Sequence, residues 1–115
     1  MGARTNYTII TTDNPDQNIN VYSHWDGDDS EYIFQQAIVA ALPRLKMNDI
    51  PYATRTIIDQ LTKDGRDKET GYGIYIGSEI THEEQYQYKS VDLLNKIVTI
   101  GDTEYSMDAW IAAIA

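Results

Sequence analysis

Two segments near the start of the chain alternate apolar and polar residues with the two-residue period of a β-strand. Residues 5–12 are rich in β-branched side chains, and residues 19–25 place Val21 and Trp25 on one apolar face. Residues 13–16 between them read Asp-Asn-Pro-Asp, which is strong turn chemistry. The pattern therefore predicts an antiparallel β-hairpin at the start of the fold.

The spacing then changes to that of two amphipathic helices. Asp29 or Ser30 can cap the first helix, and Pro43 is expected to end or kink it. Its apolar stripe consists of Phe34, Ala37, Ile38, Ala41, Leu42 and Leu45. A second helix is predicted to start at residues 49–51, Asp-Ile-Pro, and to fade at residues 63–65.

The second half of the chain returns to strand patterns. Residues 72–76 alternate apolar side chains with glycine and tyrosine, and residues 86–94 and 96–100 form a predicted hairpin around Asn95. Ser106 is expected to cap a short final helix. The order ββααβββα predicts a single α+β domain over residues 1–115, with a mostly antiparallel sheet of about five strands.

Composition and charge narrow the possible functions. The 115 residues include 18 acids and 9 bases, which gives a net charge of −9, and there is no cysteine. A polyanion repels phosphate backbones, so the charge disfavours direct binding to nucleic acid. No apolar run reaches the roughly 18 residues of a membrane span, and we expect neither a leader peptide nor a membrane anchor.

The richest concentration of functional side chains lies in residues 22–31, Tyr-Ser-His-Trp-Asp-Gly-Asp-Asp-Ser-Glu. A calcium loop starting at Asp26 fails because Glu31 stands where glycine is required and Ala37 where glutamate is required. His24 and His82 are the only histidines, too few for a zinc site without cysteine. Ser23 and His24, as strand neighbours, point to opposite faces and cannot form a triad. We therefore predict no catalytic residues, no metal and no cofactor.

Tyrosines and carboxylates remain as candidates for contact with a partner. Tyrosine often anchors interfaces, and acids complement a basic surface, although ordinary packing and solvation also explain such residues. The predicted partner-binding residues are Tyr22, His24, Trp25, Asp26, Asp28, Asp29, Glu31, Tyr86 and Tyr88. An alternative is a pocket for a small molecule or nucleotide, lined by Tyr22, His24, Trp25 and Arg55.

Three segments carry a family resemblance. They are the opening Met-Gly-Ala-Arg, residues 21–27 with Tyr-Ser-His-Trp-Asp-Gly, and residues 68–74, Lys-Glu-Thr-Gly-Tyr-Gly-Ile. With these, the chain resembles a family of small, functionally uncharacterised bacteriophage proteins. The resemblance implies a phage origin and a location in the cytoplasm of the infected bacterium, and it supplies no catalytic residues.

Together these observations favour a non-enzymatic phage protein that inhibits or modulates a host or antiviral-defence protein with a basic surface, as DNA mimics and anti-CRISPR factors do. The small-molecule or nucleotide binder is the alternative. A third hypothesis is a minor structural or assembly component of the phage, in which exposed strand edges pair. A homodimer is compatible with each of them.

Overall fold

The computed structural model describes residues 4–78 and 87–114, and these form six strands and three α-helices. The strands are β1 (Thr5–Ile10), β2 (Ile19–Ser23), β3 (Tyr72–Ile76), β4 (Lys89–Asp92), β5 (Ile97–Ile100) and β6 (Thr103–Ser106). The helices are α1 (Ser30–Leu45), α2 (Ile50–Thr62) and α3 (Met107–Ile114). The predicted α+β class is confirmed.

All six strands belong to one sheet with the order β3-β2-β1-β4-β5-β6. Neighbouring strands are antiparallel except for β1 and β4, which are parallel. The mostly antiparallel sheet is thus confirmed, and it has six strands where about five were predicted. Residues 103–106 form β6, although four residues between a glycine turn and a helix cap show too little alternation to indicate a strand. Antiparallel backbone pairing with β5 holds these residues in a strand although their own sequence pattern is weak.

Both predicted hairpins are present, with shorter strands than expected. β1 and β2 each end two residues before the predicted boundary. In the β4–β5 hairpin, the carboxylate of Asp92 accepts hydrogen bonds from the backbone N–H groups of Leu94 (2.9 Å) and Asn95 (3.0 Å). This Asx arrangement turns the chain at the predicted position. Residue 86, the predicted start of that hairpin, lies outside the described residues.

The core lies between one face of the sheet and the three helices. The ring of Phe34 on α1 packs between Tyr7 of β1, at 5.4 Å between centroids, and Trp110 of α3, at 5.9 Å. Val21 and Ile38 are completely buried beside them. Because burying one such side chain contributes about 1.5–3 kcal/mol, this layer dominates the stability of the fold.

The helix ends follow the predicted caps only in part. Asp49 accepts a hydrogen bond from the N–H of Tyr52 at 3.3 Å, and Ser106 Oγ accepts one from the N–H of Ala109 at 3.2 Å. Asp29 occupies the cap position of α1 but makes no side-chain cap bond. Helix α1 also continues past Pro43 to Leu45, because a proline this close to the C-terminal end removes a single hydrogen bond and few residues follow it.

Candidate partner-binding site at the acidic end of the sheet

One end of the sheet gathers several connections that carry carboxylates. Strands β1, β3 and β4 run in one direction, and β2 and β5 run in the opposite direction. The chain therefore leaves β2 and β5 at the same end of the sheet at which it enters β3 and β4. We call this end the acidic end. Its carboxylates include Asp26, Asp28 and Asp29 after β2, Glu31 in the first turn of α1, and Asp102 in the β5–β6 turn.

The turn that leaves β2 is set by Ser23, whose side chain is fully buried. Its Oγ accepts hydrogen bonds from the backbone N–H groups of Trp25 (3.3 Å) and Asp26 (3.1 Å). The chain therefore leaves the sheet two residues earlier than the alternation predicted. As a consequence, Trp25 does not join the apolar face of the strand as expected, and 52% of its surface is exposed.

Trp25 packs instead on the start of β3. Its ring lies 6.0 Å from that of Tyr72 in an edge-to-face arrangement. It also fills the space that a side chain at residue 71 would need, and Gly71 has a φ of +101°, which only glycine adopts readily. The carbonyl of Gly71 accepts a hydrogen bond of 2.9 Å from the N–H of His24. Trp25 and Gly71 thus hold the beginning of β3 against the end of β2.

Asp26 is partly buried, and its carboxylate turns towards the protein interior. Its carboxylate accepts hydrogen bonds from the hydroxyls of Tyr7 and Tyr72, each at 3.4 Å. Burial raises the pKa of Asp26 above its ordinary value, and the hydrogen bonds from Ser23, Tyr72 and Tyr7 only partly oppose this. Burial and the charge of Asp26 raise the pKa of Tyr72 to about 12 and that of Tyr7 further. The cluster joins β1, β2 and β3, and its hydroxyls stay protonated near neutral pH.

Tyr22 and His24 lie on the opposite side of the sheet from the helices. Residue 22 pairs with Asn6 and Gly73, on the face opposite to Val21. The Tyr22 hydroxyl and His24 Nδ1 are 2.7 Å apart, a hydrogen bond whose donor depends on the histidine tautomer. Tyr22 and His24 therefore lie on a different surface from the carboxylates of residues 28–31. Tyr88 is half-buried before β4, and Tyr86, which was also predicted to contact a partner, lies outside the described residues, as does His82.

Three exposed carboxylates and one buried ammonium line an open cleft of about 440 Å³. Asp28, Asp29 and Glu31 form its walls, Tyr32 is 61% exposed beside them, and Lys89 is 1% exposed. Lys89 Nζ donates to the carbonyl of residue 87 at 2.6 Å and lies 6.0 Å from the ring centroid of Tyr7. Since one ammonium faces three carboxylates, the formal charge of this lining remains negative. We call it the acidic cleft.

Two residues of the acidic cleft, Tyr32 and Lys89, are absent from the predicted site residues. Tyr32 lies on α1 outside the apolar stripe, and that position already indicated an exposed aromatic ring. Lys89 has the same strand parity as the buried Val91, so the alternation of β4 indicated an inward lysine. The signal of Lys89 became readable only once the boundaries of β4 were known.

The predicted small-molecule pocket is not assembled in the described structure. Arg55 is exposed on α2 in the helix layer, whereas Tyr22 and His24 lie on the other face of the sheet. A cavity beside Asp26 and Tyr72 has a volume of about 80 Å³. Typical ligand pockets start at about 300 Å³, so this cavity is too small for a nucleotide.

This chain matches no protein-family model, no curated protein and no solved structure. Among residues 4–78 and 87–114, no three histidine or carboxylate side chains come together in a way that could hold a metal ion. In the same part of the chain, no helix combines the length and the apolar character that crossing a membrane requires.

Proposed function

We propose that this chain is a non-enzymatic binding protein whose acidic cleft engages a basic segment of a partner protein. The observation that carries the proposal is the grouping of Asp28, Asp29 and Glu31 around an open cleft with the exposed ring of Tyr32 beside it. On the resemblance to small phage proteins, the proposed partner is a host or antiviral-defence protein, and the proposed location is the cytoplasm of the infected bacterium.

The acidic cleft suits a lysine or arginine side chain in both size and chemistry. Carboxylates accept charge-assisted hydrogen bonds from a guanidinium, and an aromatic face such as that of Tyr32 attracts a cation. The ammonium of Lys89 offsets part of this charge but is already bonded to a backbone carbonyl. Trp25, half exposed at the same end of the sheet, adds a second aromatic ring of the type that anchors interfaces.

The same charges argue against nucleic acid and nucleotides as ligands. Phosphate groups would meet three carboxylates in the acidic cleft, and binding to phosphate normally needs exposed lysine or arginine. The carboxylates are also spread over both ends of the sheet, because Asp13 and Asp16 lie in the β1–β2 connection opposite the acidic end. This distribution favours a local site for a basic segment over a surface that mimics DNA.

Affinity capture from a bacterial lysate tests the proposal. The tagged chain is used as bait at low salt and again at about 0.5 M salt, where screening shortens the range of surface electrostatics to a few ångströms. We expect a basic partner that is retained at low salt and released at high salt. The double substitution Asp29→Lys, Glu31→Lys should weaken capture about tenfold or more, since it reverses two charges of the cleft.

A matched variant separates the cleft from the overall charge. Asp13→Lys, Asp16→Lys changes the net charge by the same amount at the other end of the sheet, and it should leave capture nearly unchanged. Tyr32→Ala should weaken binding without reducing stability, because the ring is mostly exposed. Equal losses in both lysine double variants would contradict a local cleft, and a partner that ignores salt would contradict the electrostatic mechanism.

A further inference from the structure

Among residues 4–78 and 87–114 no strand pairs with the outer edge of β3, and we propose that two copies of this chain pair through it. In the proposed dimer the two β3 strands run antiparallel across a two-fold axis at Ile74, so that the two sheets become continuous. The proposal is independent of the acidic cleft. It depends on the direction of the backbone groups, on the sequence of the strand and on the local charge.

The backbone of β3 directs alternate residues towards β2 and away from it. Gly77 N–H donates to the carbonyl of Asn18 at 2.9 Å, and the carbonyl of Gly71 accepts from His24 at 2.9 Å. By the alternation of an antiparallel ladder, the odd-numbered residues of β3 face β2. The N–H and C=O groups of Tyr72, Ile74 and Ile76 therefore point outwards, where a further strand can pair with them.

The side chains of β3 offer no protection against such pairing. Edge strands of monomeric proteins usually carry lysine, proline or a bulge, or are very short. The sequence Tyr-Gly-Ile-Tyr-Ile contains none of these residues and no charge. Ile74 is 54% exposed and Ile76 is 62% exposed, both on the helix side of the sheet. Strands with these properties are usually covered by another strand.

The strand is complementary to itself in the two-fold register. Ile74 then lies opposite Ile74 of the second copy, and Tyr72 lies opposite Ile76 of the second copy. All of these side chains stand on the same face, so they form an apolar cross-strand ladder. Gly73 supports close approach on the other face, because a Cβ there would meet nothing within 4 Å and the fold itself does not require glycine.

The charge around β3 permits two acidic chains to meet there. Residues 55–78, which comprise the second half of α2, the following loop and β3, contain four bases and four acids. Their formal charge is zero, and the net charge of −9 is carried by the rest of the chain. The described residues around β3 therefore add no net charge repulsion between two copies, in contrast to the acidic ends.

Assembly through β3 closes at two copies. A two-fold interface uses the same surface on both partners and leaves no second β3 edge free. The opposite edge of the sheet is β6, which carries Glu104 and is short. Growth of the sheet beyond the dimer is therefore disfavoured.

Analytical ultracentrifugation of the full chain over a concentration series tests the pairing. We expect a reversible dimer, and we expect Ile74→Lys to raise its dissociation constant about 100-fold by removing two buried isoleucines and placing two ammonium groups side by side. Met47→Lys introduces the same charge at a residue that is 66% exposed in the α1–α2 turn, and the dimer should persist. Circular dichroism checks that both variants remain folded, and Ile76→Lys serves as a second edge variant.

A charge-swap mixture tests the register. Because residue 74 faces itself, Ile74→Lys and Ile74→Glu chains should each be monomeric alone and should dimerise when mixed. Hydrogen exchange should show concentration-dependent protection of the amides of Tyr72, Ile74 and Ile76. A wild-type chain that remains monomeric at about 1 mM, including one that binds an extended peptide from another protein, would overturn the proposal. A dimer that tolerates both Ile74→Lys and Ile76→Lys would overturn it as well.

Discussion

The two outer strands of the sheet, β3 and β6, differ in charge, length and in how their first residues are held. β3 has five uncharged residues with two exposed isoleucines, whereas β6 has four residues and includes Glu104. Charge and shortness are the usual means by which an edge resists pairing with another chain. The sheet is therefore protected against growth at its β6 edge but not at its β3 edge.

The residues that precede the two edge strands are also held in place differently. The start of β3 is fixed by Gly71 under the ring of Trp25 and by the bond from Tyr72 to Asp26. The start of β6 follows Gly101, whose N–H donates to the carbonyl of Tyr88 at 2.8 Å, and a Cβ at residue 101 would first meet the flexible side chain of Gln87. A side chain at residue 71 would therefore be confined more tightly than one at residue 101, and substitutions at the two anchors should have unequal effects.

The largest effect is expected from Gly71→Ala. The new Cβ would overlap the ring of Trp25 and would force a side chain into a φ of +101°. Backbone strain and overpacking each cost about 1–3 kcal/mol, so the free energy of unfolding should fall by about 3 kcal/mol. Chemical denaturation measures this loss. Gly73→Ala on the same strand is the control and should change stability by less than about 0.5 kcal/mol, because its Cβ meets open space.

Trp25→Ala should have the next largest effect, a loss of about 2 kcal/mol. The substitution removes the edge-to-face contacts with Tyr72 and with His24, whose ring centroid is 5.6 Å away, and half of the indole is buried. A double-mutant cycle with Gly71→Ala sharpens the result. Without the indole ring the alanine has room, so the two losses should be less than additive. Strict additivity would show that the ring does not confine residue 71.

Gly101→Ala tests the anchor of the protected edge and should cost about 1 kcal/mol. Its φ of +63° lies in the left-handed region, which is unfavourable for alanine by about 1–2 kcal/mol. The new Cβ would approach the Gln87 side chain at 3.3 Å, and this side chain can move away. Thermal unfolding of both glycine variants side by side gives the comparison. A loss at residue 101 as large as that at residue 71 would contradict the unequal anchoring of the two edges.

The elements that the sequence predicts well are those with local signals. The β1–β2 hairpin follows from the alternation around Val21 and from the turn residues between the strands, and α2 follows from the cap at Asp49. Ser106 caps α3 as expected for the same reason. In each case a few neighbouring residues carry the signal, and distant parts of the chain do not need to be known.

The features that escaped prediction depend on partners far away in the sequence. Asp26 was expected on a contact surface, but it turns inwards because Tyr7 and Tyr72 meet there from two other strands. β6 exists because β5 pairs with it, and the exposure of Trp25 follows from the early turn at Ser23. Sequence patterns describe which face a residue prefers, and the tertiary arrangement decides what lies opposite.

The smallest expected effect concerns the carboxyl group that ties Tyr72 to the rest of the sheet. Burial raises the pKa of Asp26 above its ordinary value of 3.8, so the folded state binds this proton more tightly than the unfolded state does. The stabilisation that protonation of this group provides is complete below pH 3.8 and is lost as the pH rises through the raised pKa. Asp26→Asn removes this titration, and its amide can still hydrogen-bond to both tyrosine hydroxyls.

The stability of Asp26→Asn relative to wild type should therefore increase as the pH rises above 3.8 and should level off above the raised pKa. The gain stays below about 1 kcal/mol, because this carboxyl is only partly buried and solvent screens it. Urea denaturation of both proteins at several pH values between 3 and 7 measures the difference, and Asp29→Asn controls for the loss of one negative charge from an acidic chain. A relative stability that falls with rising pH would show that the ionised carboxylate stabilises the start of β3, and the anchoring of this edge would then be electrostatic.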